Sequence, residues 1–116
     1  MTKKRVTEVY RFLSSARMSR LTDEEKVAVI RLLRVMKPVA AEIQDAATTS
    51  FQKSKEEYPA DVVKAMALAE QAIGDLLGSE TDINTHILTA EAYERLCFSN
   101  DWTFQQMEEL GDILTK

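Results

Sequence analysis

The sequence contains one cysteine, Cys97, and one histidine, His86. A single thiol excludes an internal disulfide framework. A single imidazole, with no cysteine or carboxylate cluster at ligand spacing around it, leaves no zinc or iron motif. Three glycines and two prolines in 116 residues are few, which argues against a loop-rich or all-β protein. No uninterrupted apolar run approaches the roughly 20 residues that a spanning helix needs. The basic start MTKKRV is followed by Thr7, Glu8 and Arg11, where a signal peptide would have an apolar stretch. Phosphate-binding and dinucleotide glycine motifs and a nucleophile elbow are all missing. These absences predict a cytoplasmic protein with no cofactor, no metal and no place in a membrane.

What is present is helix. Hydrophobic residues make up 45% and charged residues 29% of the chain, the composition of a folded, soluble protein rather than a disordered one. The length predicts a single domain over residues 1–116. Val6, Val9, Tyr10 and Leu13 recur at helical spacing and predict a first helix from Thr7 to about Ala16. In LTDEEKVAVI, Thr22 and Glu25 form a capping box, and Asp23, Glu24 and Glu25 suit the positive end of the helix dipole. From there helical character continues to about Glu57 with Pro38 as the one interruption. Such a helix has about 36 residues and a length on the order of 54 Å, long enough for part of it to project.

Two apolar seams predict its partner. Val29, Leu33, Met36, Ala40, Ile43 and Ala47 alternate spacings of 4 and 3, and so do Val62, Met66, Ala69, Ile73 and Leu76. A tight connection near Tyr58 joins them, with Pro59 suited to a first helical turn and Gly78 to a terminator. The expected fold is therefore mainly α: a long helix bent near Pro38, an antiparallel hairpin arm over about 39–78, and short N- and C-terminal helices. VAVIRLLRVM, apolar nearly all round, is expected to be embedded in a core. Residues 82–88, DINTHIL, alternate like a strand, to be read as one short strand, an extended connector or an edge partner in an oligomer. Thr89 predicts a helix through about Phe98, and Thr103 with Gln106 predicts a second capping box opening a helix to Leu114. Leu96, Phe98, Trp102, Phe104, Met107, Leu110 and Ile113 are the bulky residues expected to cover the embedded half of the long helix.

The segment order VTEVYRFL, VAVIRLLRVMKPVAAEIQDAATTSFQKSKEEY, IGDLLGSETDINTHILTAEAYERL and FQQMEELGDIL resembles in layout a set of small phage and prophage helical proteins. The similarity covers nearly the whole chain and lies in spacing and pattern, without a diagnostic motif. It implies a phage-related origin and no assigned activity.

Chemistry-bearing residues are sparse. A Cys97–His86 nucleophile pair requires the two side chains to meet, while cysteine more commonly fills space in a core. Glu108 and Glu109 near Asp112 fit a solvated helix face better than an acid–base pair. The methionines Met18, Met36, Met66 and Met107 read as core filler. An enzyme is not expected. Charge is more telling: residues 1–58 hold 12 Lys and Arg against 8 Asp and Glu, and residues 59–116 hold 3 against 11. Arg31, Arg34 and Lys37, three apart on the long helix, form a candidate interaction surface. The expectation is a non-enzymatic module that binds itself, as a homo-oligomer, or another phage or host protein. The competing expectation is a DNA-associated regulator using the basic N-terminal region.

Overall fold

The computed structural model describes residues 1–116 and contains six helices and no sheet. They are α1 (Lys3–Ser14), α2 (Asp23–Glu57), α3 (Val62–Ala72), α4 (Gly74–Gly78), α5 (Ala90–Ser99) and α6 (Phe104–Leu114). The protein is mainly α and contains a helical hairpin. Its backbone divides into two compact units, one of residues 1–8 and 37–82, the other of residues 9–36 and 83–116. α2 runs through Pro38 without a break, and the division falls between Met36 and Lys37, one residue before the proline.

In the first unit, the later part of α2 and α3 form the hairpin arm. The connection is tight: Tyr58 N–H donates to the Ser54 carbonyl at 2.8 Å, and Asp61 N–H donates to the Tyr58 carbonyl at 3.2 Å. The Asp61 carboxylate then accepts from Lys64 N–H at 3.0 Å and caps α3. Pro59 accordingly lies in the turn, not in the first turn of the helix, because Asp61 supplies the cap two residues later. The expected third helix is also broken at Ile73, whose backbone closes α3 and opens the short α4.

The register of α3 differs from expectation. Ala65, Ala69 and Ile73 are buried, while Val62 and Met66 are exposed and Leu76 is half-buried. Val62 stands beside the turn, where α2 has already ended at Glu57. On α2 the buried residues of this unit are Ala40, Ile43 and Ser54. The N-terminus is tied into the same unit by an antiparallel bridge between Thr2 and Glu80, by the terminal amine beside Glu80 at 3.1 Å, and by Lys3 with Glu42 at 3.1 Å.

The second unit has a core of Val9, Leu13, Leu21, Val29, Leu32, Met36, Leu88, Ala92, Tyr93, Leu96, Leu110 and Leu114. Burying each large aliphatic side chain contributes about 1.5–3 kcal/mol, so these residues hold the unit together. α2 buries Leu32 here and leaves Leu33 at its edge. The expectation that VAVIRLLRVM is embedded all round is corrected: Val27, Ile30 and Val35 are 43%, 40% and 54% exposed. At 100° per residue these three lie with Arg31 and Arg34 within an arc of about 140°. One face of α2 packs, and the other meets solvent. Phe98 and Phe104, expected as cover, are exposed instead, while the Trp102 ring lies tilted against Phe12, with centroids 5.1 Å apart.

Both predicted capping boxes form. Thr22 N–H donates to Glu25 Oε1 at 2.8 Å and Glu25 N–H to Thr22 Oγ1 at 3.2 Å. Thr103 N–H donates to Gln106 Oε1 at 3.0 Å and Gln106 N–H to Thr103 Oγ1 at 3.2 Å. Thr89 caps α5 through Ala92 N–H. Residues 82–88 form no strand; a single parallel bridge joins Leu88 to Thr115. No helix is long and apolar enough to cross a membrane.

Candidate interaction groove

The second unit carries an open groove of about 450 Å³ between α2 and the extended residues 83–87. Its apolar lining is Ala28, Leu32, Val35, Ile83 and Ile87, and its polar lining is Arg31, Asn84, His86 and Lys116. The chain has 19 Asp and Glu, yet the groove is lined by none of them.

Short-range backbone chemistry holds the extended wall in shape. His86 N–H donates to Asn84 Oδ1 at 3.3 Å, an Asx turn that replaces a regular ladder. Ile87 N–H and Leu88 N–H both donate to the Leu114 carbonyl at 3.0 Å, and Lys116 N–H donates to the Leu88 carbonyl at 2.8 Å. The end of α6 is thereby fixed against the wall, which delivers Lys116 to the groove. His86 Nδ1 lies 2.8 Å from the Thr115 carbonyl. A carbonyl accepts only, so Nδ1 carries the proton and Nε2 of the neutral ring remains an acceptor.

The opposite wall is positioned by charge. Arg95 on α5 grips Glu25 in the first turn of α2 with two hydrogen bonds of 2.6 and 2.8 Å. This bidentate pair fixes geometry as well as energy. The Arg95 hydrogen bonds, with the Thr22 backbone N–H next in importance, bring the Glu25 carboxyl down from 4.5 to about 2. Arg95 is in turn pushed further above its ordinary range by Glu25.

Of the three residues expected as an interaction surface, Arg31 lines the groove. Arg34 is exposed on the same face of α2 but outside the lining, and Lys37 is exposed on the stretch of α2 that belongs to the first unit. Arg31 and Lys116 form no ion pair. The structure does not join Cys97 to His86: the imidazole is bonded to Thr115, and Cys97 lies beside Tyr93 on α5. Burial, and then the neighbouring Cys97, push the Tyr93 hydroxyl well above its usual range. That hydroxyl donates to the Met107 carbonyl. No three His, Cys, Asp or Glu side chains gather at metal-binding distance.

A smaller recess of about 190 Å³ lies in the arm, lined by Ala47, Phe51, Met66, Ala69, Glu70 and Ile73. Sequence reasoning passed over His86, Asn84 and Lys116 as partners of Arg31. No spacing rule connects residue 31 to residue 116, and only the fold brings them together.

The molecule is thus a helical protein whose open groove joins an apolar floor to a cationic rim. Comparison with protein-family models, curated proteins and solved structures gives no match.

Proposed function

We propose that this chain is a non-enzymatic interaction module of phage or prophage origin that works by binding another protein or itself. The observation that carries the reading is the solvent face of α2, where Val27, Ile30 and Val35 alternate with Arg31 and Arg34 beside the groove. Branched apolar side chains mixed with arginine match the chemistry of protein interfaces, where arginine is enriched and apolar residues form the centre. The assignment to phage or prophage is supported by the order of segments along the chain.

The basic N-terminal region is partly occupied within the protein, which argues against the reading as a DNA-associated regulator. Lys3 is paired with Glu42 and Arg5 with Glu8. A binding assay with duplex DNA tests the choice. The module reading expects weak, sequence-independent binding that loses most of its affinity between about 50 and 200 mM salt, the counterion-release signature. Site-specific binding that persists at about 150 mM salt, in the nanomolar range typical of regulators, and that is lost in Arg31→Ala/Arg34→Ala, overturns it.

A further inference from the structure

The exposed large apolar residues fall into four groups, and three of them carry a cation. Val27, Ile30 and Val35 stand among Arg31 and Arg34; Val62, Val63 and Met66 flank Lys64; and Phe98 lies under the Arg20 guanidinium at 6.0 Å. The fourth is Phe104, 75% exposed at the start of α6. Residues 104, 108 and 112 recur every fourth position and so form one row, with about 6 Å of helix rise between neighbours. That row is Phe104, Glu108 and Asp112, all exposed. Neither carboxylate forms an ion pair. The chain therefore displays an aromatic anchor followed by two unpaired negative charges, and also a groove with an apolar floor and two unpaired positive charges.

We propose that the groove is a docking site for a second copy of this chain, which enters with the Phe104–Glu108–Asp112 face of α6. Phe104 packs on the floor formed by Leu32, Ile83 and Ile87, and Glu108 and Asp112 meet Arg31 and Lys116. Aromatic residues seated in pockets dominate interface energetics, and the charge pairs set orientation. Each copy carries both halves of the contact, so it forms twice about a two-fold axis or propagates head to tail. This inference rests on the interaction-module reading and names its partner.

The test is light scattering and sedimentation on the full chain across the micromolar range. Wild type is expected to associate, and Phe104→Ala to be monomeric. Arg31→Glu/Lys116→Glu and Glu108→Lys/Asp112→Lys are each expected to weaken association at least about tenfold, a loss of about 1.4 kcal/mol or more. An equimolar mixture of the two charge-reversed proteins is expected to recover a complex, because one supplies an acidic groove and the other a basic helix. Circular dichroism melts check that each variant is folded, and Arg31→Ala/Lys116→Ala provides a milder second variant. A wild type that stays monomeric overturns the proposal. So does association indifferent to both charge reversals, an outcome that leaves the broader module reading standing. Folded variants that fail to recover a complex on mixing overturn it as well.

Discussion

Asn100 and Arg17 are joined twice through one side-chain amide: Arg17 N–H donates to Asn100 Oδ1, and Asn100 Nδ2 donates to the Arg17 carbonyl, both at 2.8 Å. The same Nδ2 also donates to the Leu96 carbonyl at 2.9 Å. One residue at the end of α5 thus ties the α1–α2 connector to the α5–α6 turn.

Replacing Asn100 by Ala removes three hydrogen bonds and is expected to cost about 1–3 kcal/mol in urea denaturation. Asn100→Asp is expected to be at least as damaging, since a carboxylate oxygen replaces the donor facing two carbonyls. An Asp variant as stable as wild type would show that the amide donor is dispensable.

Acid stability follows from Glu25. Its carboxyl titrates at about 2 in the folded protein instead of 4.5, so its pairing with Arg95 stabilises fully above pH 4.5 and is lost as the pH falls through 2. The gap in Tm between wild type and Glu25→Gln should therefore close on acidification through that window. A gap that stays constant would mean that Glu25 acts through packing and not through charge.

Gly111 marks a close approach. A Cβ at this position would lie 3.1 Å from Tyr93 Cε1, and the ring is held by the hydroxyl's bond to the Met107 carbonyl. Gly111→Ala is expected to destabilise by about 1 kcal/mol, overpacking of about 1–3 kcal/mol outweighing the gain of about 1 kcal/mol in helix propensity. In the Tyr93→Phe background the ring is freer to shift and the penalty should shrink. Equal penalties in both backgrounds would refute the anchoring role of the hydroxyl.

Pro38 is exposed inside an unbroken helix. Pro38→Ala restores a backbone donor there, so the variant is expected to be at least as helical by circular dichroism. Its stability should rise by up to about 2 kcal/mol, after allowing for the greater freedom of the unfolded chain. A loss of several kcal/mol would show that the native backbone depends on the proline.

Local features were legible in the sequence. Thr22 with Glu25, Thr89, and Thr103 with Gln106 act across three residues, and each caps a helix where the pattern places it. Choices between equivalent faces were not. α3 offers a seam through Val62 and Met66 and another through Ala65 and Ala69, and the structure buries the second. Likewise VAVIRLLRVM is apolar enough to be buried all round, but the second unit covers only the Val29, Leu32 and Met36 side. The groove was the least legible feature, because backbone bonds between residues 87–88 and the end of α6 set Lys116 beside His86, and only the tertiary fold adds Arg31 to the same lining.

The interleaving of the two units bears on biosynthesis. All the residues of the first unit are present once the chain has been made to Asp82. The second unit has by then received only residues 9–36, and its α5, α6 and groove wall lie in 83–116. On the ribosome, the apolar stripe of Val9, Leu13, Val29, Leu32 and Met36 must therefore wait for the last 34 residues of this sequence before Leu88, Leu96 and Leu114 cover it. That interval is when the nascent chain is most exposed to chaperones and to aggregation. A premature stop just after Asp82 would fix the chain in that state.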